Sequence, residues 1–197
     1  MKVVLATRNA HKVAELQRIL APYDVALVSL DDVGVTDEVA ETGATFADNA
    51  LLKARAAAAG SGLVAIADDS GIAVDALNGM PGVLSAYWAG RARDDAANLR
   101  LLLEQIEDVP DERRGAAFVC AAAAVTPDGR EVVVEGRLEG VLVRAPRGSN
   151  GFGYDPVFVP TGYDRTNAEL APEEKDAISH RGKAFRALAP RLVELSS

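Results

Sequence analysis

Leu63-Val64-Ala65-Ile66-Ala67-Asp68-Asp69-Ser70-Gly71 is an apolar run that ends in two acids, a hydroxyl and a glycine. Apolar residues without polar alternation are typical of a strand buried on both faces of a sheet. Ligands of open α/β sheets bind outside the carboxyl ends of such strands. The sequence therefore predicts a functional site at Asp68 and Asp69, directly after the strand. A strand followed by an ordinary Asx turn is the alternative interpretation.

The two neighbouring aspartates are expected to have different roles. Successive side chains of a strand point to opposite faces. One carboxylate can therefore face a ligand while the other holds a loop or caps a backbone amide.

The composition favours a single domain, residues 1–197, with two lobes. Of the 197 residues, 49% are hydrophobic, which is enough to bury a substantial core. The formal net charge is -8. Because nucleic acids and anionic membranes attract clustered Lys and Arg, this charge argues against both as partners. A polyanionic substrate can still bind where cations converge locally.

The chain is expected to be a cytoplasmic protein. Cys120 is the single cysteine, which excludes an internal disulfide framework and a multi-cysteine zinc site and fits a reducing compartment. Near the N-terminus, Lys2 precedes only four apolar residues before Thr7. That run is too short for a signal-peptide core or a membrane span.

An anion site is predicted where the first strand turns into the first helix. Val3-Val4-Leu5-Ala6 has the pattern of a short buried strand, and Val13, Leu16 and Leu20 recur at helical spacing. Between them lies Thr7-Arg8-Asn9-Ala10-His11-Lys12, where helix N-terminal amides meet polar side chains that suit a phosphate. An ordinary Asn N-cap with a solvated lysine is equally compatible with this pattern. The turn has no glycine, so it is not the Gly-rich phosphate loop.

A second group of polar residues accompanies an alanine-rich helix predicted at 46–59. Asn49 and Lys53 lie four residues apart and share one face of this helix. Glu41 precedes the helix on a loop. Either this face is simply solvated, or Lys53 and Glu41 reach the same cleft as Asp69.

The remaining elements are predicted from apolar periodicity and turn residues. Strands are expected at residues 25–30, 72–77, 116–126 and 131–138, the last two as a hairpin. Asp94 is expected to cap a helix that ends near Glu107, and Gly60 to close the alanine-rich helix.

A glycine-rich segment, Gly148-Ser149-Asn150-Gly151-Phe152-Gly153-Tyr154-Asp155-Pro156, is a candidate ligand loop. Glycines permit close approach of the backbone to a ligand. Phe152 can stack on a planar base, and Asp155 can accept hydrogen bonds from its N–H groups. The alternative is a loop whose Phe fills the core.

The C-terminal part contains a charged helical piece, Glu173-Glu174-Lys175-Asp176, and a basic helix start, Ser179-His180-Arg181-Gly182-Lys183. His180 and Arg181 can donate hydrogen bonds to a carbonyl. A solvated basic first turn is the alternative.

Taken in order, these motifs resemble one known family. The match rests on Thr7-Arg8-Asn9-Ala10-His11-Lys12, Glu41-Thr42-Gly43-Ala44-Thr45-Phe46 with Asn49 and Lys53, Asp68-Asp69-Ser70-Gly71, Phe152-Gly153-Tyr154-Asp155-Pro156 and Ser179-His180-Arg181-Gly182-Lys183. Their order and spacing, from Lys2 to about Leu188, resemble the pyrophosphatases of noncanonical purine nucleoside triphosphates. These are the inosine triphosphatase or HAM1-like enzymes.

The resemblance implies a fold and a reaction. The implied fold is α/β, a long twisted mixed sheet flanked by helices, with two lobes, a central substrate cleft and a homodimer. The implied reaction is the hydrolysis of XTP, ITP and dITP to the monophosphate and pyrophosphate with Mg²⁺, which would cleanse the nucleotide pool.

The resemblance also implies roles for individual residues. Asp69 matches the family's general base and metal-site aspartate, Glu41 a further metal ligand, and Asp68 either a metal neighbour or a structural residue. The implied substrate contacts are Thr7, Arg8, Asn9, Ala10, His11, Lys12, Lys53, Ser70, Phe152, Gly153, Tyr154, Asp155, Lys175, His180 and Arg181. Among them, Arg8 and His11 fill variable positions of the first motif. If His180 and Arg181 contact the purine base, the pocket should demand an acceptor at position 6, which ITP and XTP offer and ATP does not.

Two hypotheses compete with the pyrophosphatase. A catalytically silent nucleotide sensor would bind ITP without releasing pyrophosphate. A phosphatase that uses Asp68-Asp69 as a nucleophile would release orthophosphate from the terminal phosphate. The identity of the inorganic product separates all three.

Overall fold

The computed structural model describes residues 1–195, which form six strands and five α-helices. The strands are β1 (Lys2–Leu5), β2 (Ala26–Ser29), β3 (Ala65–Val74), β4 (Gly115–Val125), β5 (Glu131–Leu142) and β6 (Phe158–Pro160). The helices are α1 (Ala10–Leu20), α2 (Phe46–Ser61), α3 (Asp95–Gln105), α4 (Pro172–Ile178) and α5 (His180–Leu195). No helix in that range is long and apolar enough to cross a bilayer.

The strands form one mixed sheet in the order β2-β1-β3-β4-β5-β6. Strand β1 pairs in parallel with β2 and β3, whereas β6 pairs antiparallel to β5. The predicted α/β fold with a mixed, helix-flanked sheet is therefore confirmed. Residues 1–69, 120–136 and those from 180 onward form one compact unit, and residues 70–119 and 137–179 form another.

In the first unit, helices cover both faces of the sheet. Val3, Leu5 and Ile66 pack with α1 and α5, while the alternating residues Val4 and Ala65 pack with α2. This is the burial on both faces that the apolar run predicts for the central strand.

The second unit has its own core around helix α3. Leu102 and Ile106 pack there with Ile72 of β3 and with two phenylalanines, Phe118 and Phe158. The two phenyl rings lie 4.7 Å apart at a 60° tilt, a favourable aromatic arrangement.

Strand β3 does not end where the sequence analysis placed its end. The prediction that Asp68 and Asp69 follow the strand is wrong, because β3 continues through both to Val74. Ile72 and Val74 are fully buried, so the core of the second unit requires the strand to continue. The separate strand predicted at 72–77 is the end of β3 followed by a 3₁₀ turn at Asp75–Leu77.

Helix α2 also ends later than predicted. Gly60 lies inside the helix, and Gly62 closes it with a φ of 67° and an N–H bond to the Ala58 carbonyl oxygen. A left-handed glycine is a common helix stop. At the other end, Thr45 and Asp48 form a reciprocal capping box, which fixes the first turn of the helix.

Helix α5 packs directly on the backbone of β5 at Gly136. A Cβ atom added there would overlap the His180 carbonyl oxygen and the Ala184 amide nitrogen. Only glycine permits this approach, which places the first turn of α5 against the sheet.

We expect Gly136→Ala to lower the free energy of unfolding by about 1–3 kcal/mol, the usual cost of overpacking. Urea denaturation measures the change. The neighbouring exposed residue provides the control, because Glu135→Ala should stay within about 0.5 kcal/mol of the wild type. Equal stability of the two variants would contradict this close backbone contact.

Candidate active site

Asp68 lies at the centre of a buried ion network in the first unit. Its side chain is 0% exposed. Its Oδ2 accepts hydrogen bonds from Lys12 Nζ at 3.0 Å and from Arg181 Nε at 3.2 Å. Lys12 belongs to the first turn of α1 and Arg181 to the first turn of α5. The Asp68 carboxylate therefore connects the first turns of α1 and α5 to the central strand β3.

Arg181 is held by a second acid that the sequence analysis missed. Its Nη1 donates to Glu15 Oε2 at 2.5 Å, and its side chain is only 2% exposed. Burial opposes its charge, but Asp68 and Glu15 outweigh burial and raise the pKa of Arg181. Glu15 follows Lys12 by one helical turn and stands beside the core residue Leu16. An acidic residue in the apolar stripe of a predicted helix was the sequence signal that could have indicated a buried partner for Glu15.

Asp69 points to the opposite face of β3, toward α2. Its Oδ2 accepts a hydrogen bond from Asn49 Nδ2 at 3.0 Å. One turn further along α2, Lys53 Nζ lies 3.7 Å from Asp69 Oδ1 and 2.5 Å from Glu41 Oε1. The structure thus brings together Glu41, Lys53 and Asp69, which is one of the two alternatives that the sequence left open.

The surroundings of Asp69 make it more basic than an ordinary aspartate. Burial raises the pKa of its carboxyl group, while Lys53 and the Asn49 hydrogen bond oppose the shift only in part. Burial lowers the pKa of Lys53, but the charges of Asp69, Asp68 and Glu41 outweigh that effect and raise it. The cluster therefore pairs a base of increased proton affinity with a lysine that stays cationic.

Glu41 and Asp69 are suitable ligands for a hard cation. Their side chains are 24% and 11% exposed. Across residues 1–195 no group of three or more His, Cys, Asp or Glu side chains could hold a metal ion. Mg²⁺ does not require such a cage, because it is usually bound by one or two carboxylates plus waters and substrate phosphates. The two carboxylates therefore fit a magnesium ion that arrives with a phosphorylated ligand.

The turn before α1 is held by its own side chains. Asn9 is the N-cap, and its Oδ1 accepts from the amides of His11 at 3.0 Å and Lys12 at 3.3 Å. Thr7 Oγ1 accepts from the Asn9 amide at 3.2 Å. Arg8 donates to the Val35 carbonyl oxygen at 2.9 Å. The predicted Asn N-cap is present, and Arg8 and Lys12 are the two basic residues of this segment besides His11.

In the second unit, Asp155 organises the glycine-rich loop. Its carboxylate accepts from the Phe152 amide at 2.9 Å, Lys175 Nζ at 2.6 Å and Asn167 Nδ2 at 3.1 Å. Gly151 has a φ of 73°, and a Cβ atom there would overlap Asp155 Oδ2. Direct binding of a base by Asp155 remains a prediction; in the structure its carboxylate accepts from three protein donors.

Phe152 and Tyr154 have different environments. Lys175 Nζ lies 5.1 Å from the centre of the Phe152 ring, within range of a cation–π contact. Tyr154 is buried and donates to the Ser85 carbonyl oxygen at 2.7 Å. Burial, with a smaller effect of Asp95, raises the pKa of Tyr154. Asp95 also accepts from the Gly153 amide at 3.1 Å, a loop contact that the sequence analysis missed.

The other predicted contacts vary in exposure. Ser70 is partly buried, His180 is buried, and Ala10 and His11 are exposed. Their predicted roles, and the predicted role of Arg181 in base recognition, remain predictions.

The Ham1 family model matches residues 3–191. The chain belongs to the Ham1 family. This confirms the family resemblance of the five motifs.

Proteins of similar sequence align with nearly the whole chain. A dITP/XTP pyrophosphatase of Mycobacteroides abscessus is 63% identical over 198 residues, which is 99% of this chain and 96% of that protein. A dITP/XTP pyrophosphatase of Streptomyces coelicolor is 60% identical, and the alignment covers 98% of this chain and 98% of that protein. The solved structure of a HAM1 protein from Coxiella burnetii is 43% identical, with a TM-score of 0.89 over 98% of this chain and 99% of that one. This Ham1 chain therefore shares its fold with these proteins.

We expect Asp68→Asn to destabilise this Ham1 protein by about 3–5 kcal/mol, because removing one partner of a buried ion pair leaves its cations without compensation. Urea denaturation measures the loss. The control is Glu104→Gln, since Glu104 and Arg100 form a pair whose side chains are 64% and 70% exposed. Loss of such a surface pair should cost about 0–1 kcal/mol. Similar losses in both variants would exclude a structural role for Asp68.

We expect Tyr154→Phe to lower the free energy of unfolding by about 1 kcal/mol near neutral pH, through loss of one buried hydrogen bond. The free energy of unfolding of the variant should also fall less steeply with pH in the alkaline range. Because the folded-state pKa of Tyr154 is raised, its contribution to stability is present below the unfolded pKa of about 10 and is lost as pH rises above it. Urea denaturation of both proteins on either side of that pH tests this. Parallel pH curves would contradict the burial of the phenol.

Proposed function

We propose that this protein hydrolyses dITP, XTP and ITP to the nucleoside monophosphate and pyrophosphate. The observation that carries the proposal is the cluster of buried Asp69, half-buried Lys53 and exposed Glu41 in a chain 63% identical to a dITP/XTP pyrophosphatase. The cluster contains the three kinds of group that hydrolysis of a triphosphate requires: a base, a cation and ligands for a metal.

The charges of the first unit suit a triphosphate. With a net charge of -8, the protein needs local cations to bind a polyanion. Lys12 and Lys53 each have a side chain 15% exposed. Each ammonium has three N–H donors, so each can hold its carboxylate partner and still contact a phosphate oxygen. We assign both lysines to the phosphate chain.

In the proposed reaction Asp69 acts as the general base. Its carboxylate takes a proton from a water molecule while the water oxygen forms a bond to phosphorus. The bond from that phosphorus to the oxygen that bridges the α- and β-phosphates breaks, which releases the monophosphate and pyrophosphate. Phosphoryl transfer depends mainly on positioning and charge stabilisation. Lys53 can stabilise the increasing negative charge on the phosphate oxygens. The raised pKa of Asp69 makes it a better proton acceptor than an exposed aspartate.

Magnesium, the homodimer and the cytoplasmic location belong to the same proposal. Glu41 and Asp69 would hold Mg²⁺, which when bound neutralises charge on the phosphate oxygens. The homodimer follows from the family resemblance, and the location from the single cysteine.

For the nucleoside, we propose the contacts that the family resemblance implies. Phe152 offers a ring face, and Lys175 and Asp155 keep that loop in place. His180 and Arg181 are the proposed donors to an acceptor at purine position 6. A site with such donors should reject ATP by roughly 10⁴-fold or more, because the amino group at position 6 of adenine is a donor and not an acceptor.

A substrate panel with product analysis tests the function. We expect ITP, XTP and dITP with Mg²⁺ to yield monophosphate and pyrophosphate, and ATP to be a poor substrate. Orthophosphate as the inorganic product would indicate an aspartyl-phosphate phosphatase. Tight ITP binding without turnover would indicate a sensor.

We expect Asp69→Asn to reduce kcat for ITP by about 10²- to 10⁴-fold, the usual loss when a general base is removed. Nucleotide affinity should change little, because the amide keeps the size and position of the side chain. The assay covers a wide range of Mg²⁺ concentrations, and the exposed residue Asp31 supplies a control, Asp31→Asn, that should behave as the wild type. Near-normal turnover would remove Asp69 as the base, and rescue by high Mg²⁺ alone would make it a metal ligand instead.

A further inference from the structure

Asn49 is the buried residue that connects Asp69 to the loop before α2. We propose that Asn49 is a positioning residue that fixes the rotamer of Asp69 and the place of the Glu41 loop at the same time. The inference rests on the proposed function, since it concerns the geometry of the proposed base.

The orientation of the Asn49 carboxamide is determined by its partners. Its Oδ1 accepts a hydrogen bond from the Gly43 backbone amide at 2.7 Å. A backbone N–H can only donate, so the atom that faces it must be the oxygen. The Nδ2 atom then points to Asp69 Oδ2, 3.0 Å away. Asn49 therefore presents a donor, and not an acceptor, to the carboxylate.

Asn49 has little freedom to move. It is 2% exposed and lies one residue after Asp48, whose capping box with Thr45 fixes the first turn of α2. Gly43 packs so closely that an added Cβ atom would lie 2.5 Å from Asp48 Cβ and 2.7 Å from Asn49 Oδ1. Only glycine at position 43 allows this contact, so the loop and the amide fit as a pair.

The hydrogen bond assigns different surroundings to the two oxygens of Asp69. Oδ2 is held by Asn49, whereas Oδ1 lies 3.7 Å from Lys53 Nζ, beyond ordinary hydrogen-bond length. Oδ1 is therefore the oxygen that we assign to the attacking water. Lys53, one turn after Asn49, holds Glu41, which lies two residues before Gly43. Asn49 and Lys53, two side chains of α2, thus both connect the loop at residues 41–43 to Asp69 of β3.

Loss of this connection should affect turnover more than substrate binding. A misplacement of about 1 Å in a reacting group can reduce a rate by about 10²-fold. The phosphate contacts assigned to Lys12 and Lys53 do not depend on the rotamer of Asp69. A lower kcat with a nearly unchanged KM is therefore the expected signature.

Two substitutions separate the two hydrogen bonds of the amide. Asn49→Leu removes both bonds at similar volume. Asn49→Asp keeps an acceptor for the Gly43 amide but loses the donor toward Asp69. We expect both variants to lower kcat for ITP by about 10- to 100-fold, as loss of an orienting partner does at other sites. Hydrogen exchange at the Gly43 amide should accelerate only in Asn49→Leu.

Asn98 supplies the matched control. It is also 2% exposed, lies on a helix, and bridges two backbone groups, the Ala89 amide and the Ala86 carbonyl oxygen. Asn98→Leu and Asn98→Asp should reduce stability without reducing kcat per folded molecule. Urea denaturation of every variant supplies the folded fraction.

Three outcomes would overturn the inference. The first is an Asn49→Asp variant with wild-type kcat, which would show that the bond to Asp69 is dispensable. The second is a rise in KM with kcat unchanged, and the third is a loss of kcat no larger than in the Asn98 variants. Failure of the proposed function looks different, because the wild-type protein itself would then release no pyrophosphate from ITP.

Discussion

The central constraint is that two adjacent acids lie inside a strand that is buried on both faces. Successive side chains of β3 point to opposite faces, so Asp68 and Asp69 have different hydrogen-bond partners. Each carboxylate loses water on burial and needs compensation from cations or hydrogen-bond donors. Helices α1 and α5 supply the partners of Asp68, and α2 supplies those of Asp69. The arrangement of helices around the strand follows from this requirement.

The two faces serve different purposes because their partners differ. Asp68 is fully covered and bonded to Lys12 and Arg181, which suits a structural residue. Asp69 keeps some exposure, and one of its oxygens has only a distant lysine beside it. A carboxylate that is buried but incompletely neutralised has a raised pKa, as expected of a general base. A buried ion network on one face of β3 thus holds in place the strand whose other face carries the proposed general base.

Much of this arrangement could be predicted from the sequence, because local rules govern it. The apolar run, the Asn9 cap and the shared helix face of Asn49 and Lys53 follow from periodicity, capping chemistry and spacing along one helix. The end of β3 could not be predicted, since a second core at Ile72 and Val74 extends the strand beyond its acids. Glu15 and Asn167 were also missed, because their partners, Arg181 and Asp155, lie far away in sequence.

The crystal structure of the Asp69→Asn variant with ITP and magnesium tests most directly the claim that the Asp69 face of β3 carries the chemistry. The account predicts that the bridge between the α- and β-phosphates lies beside residue 69, with Lys12 and Lys53 on the phosphate oxygens. A γ-phosphate beside residue 69, or a triphosphate bound away from both lysines, would contradict it.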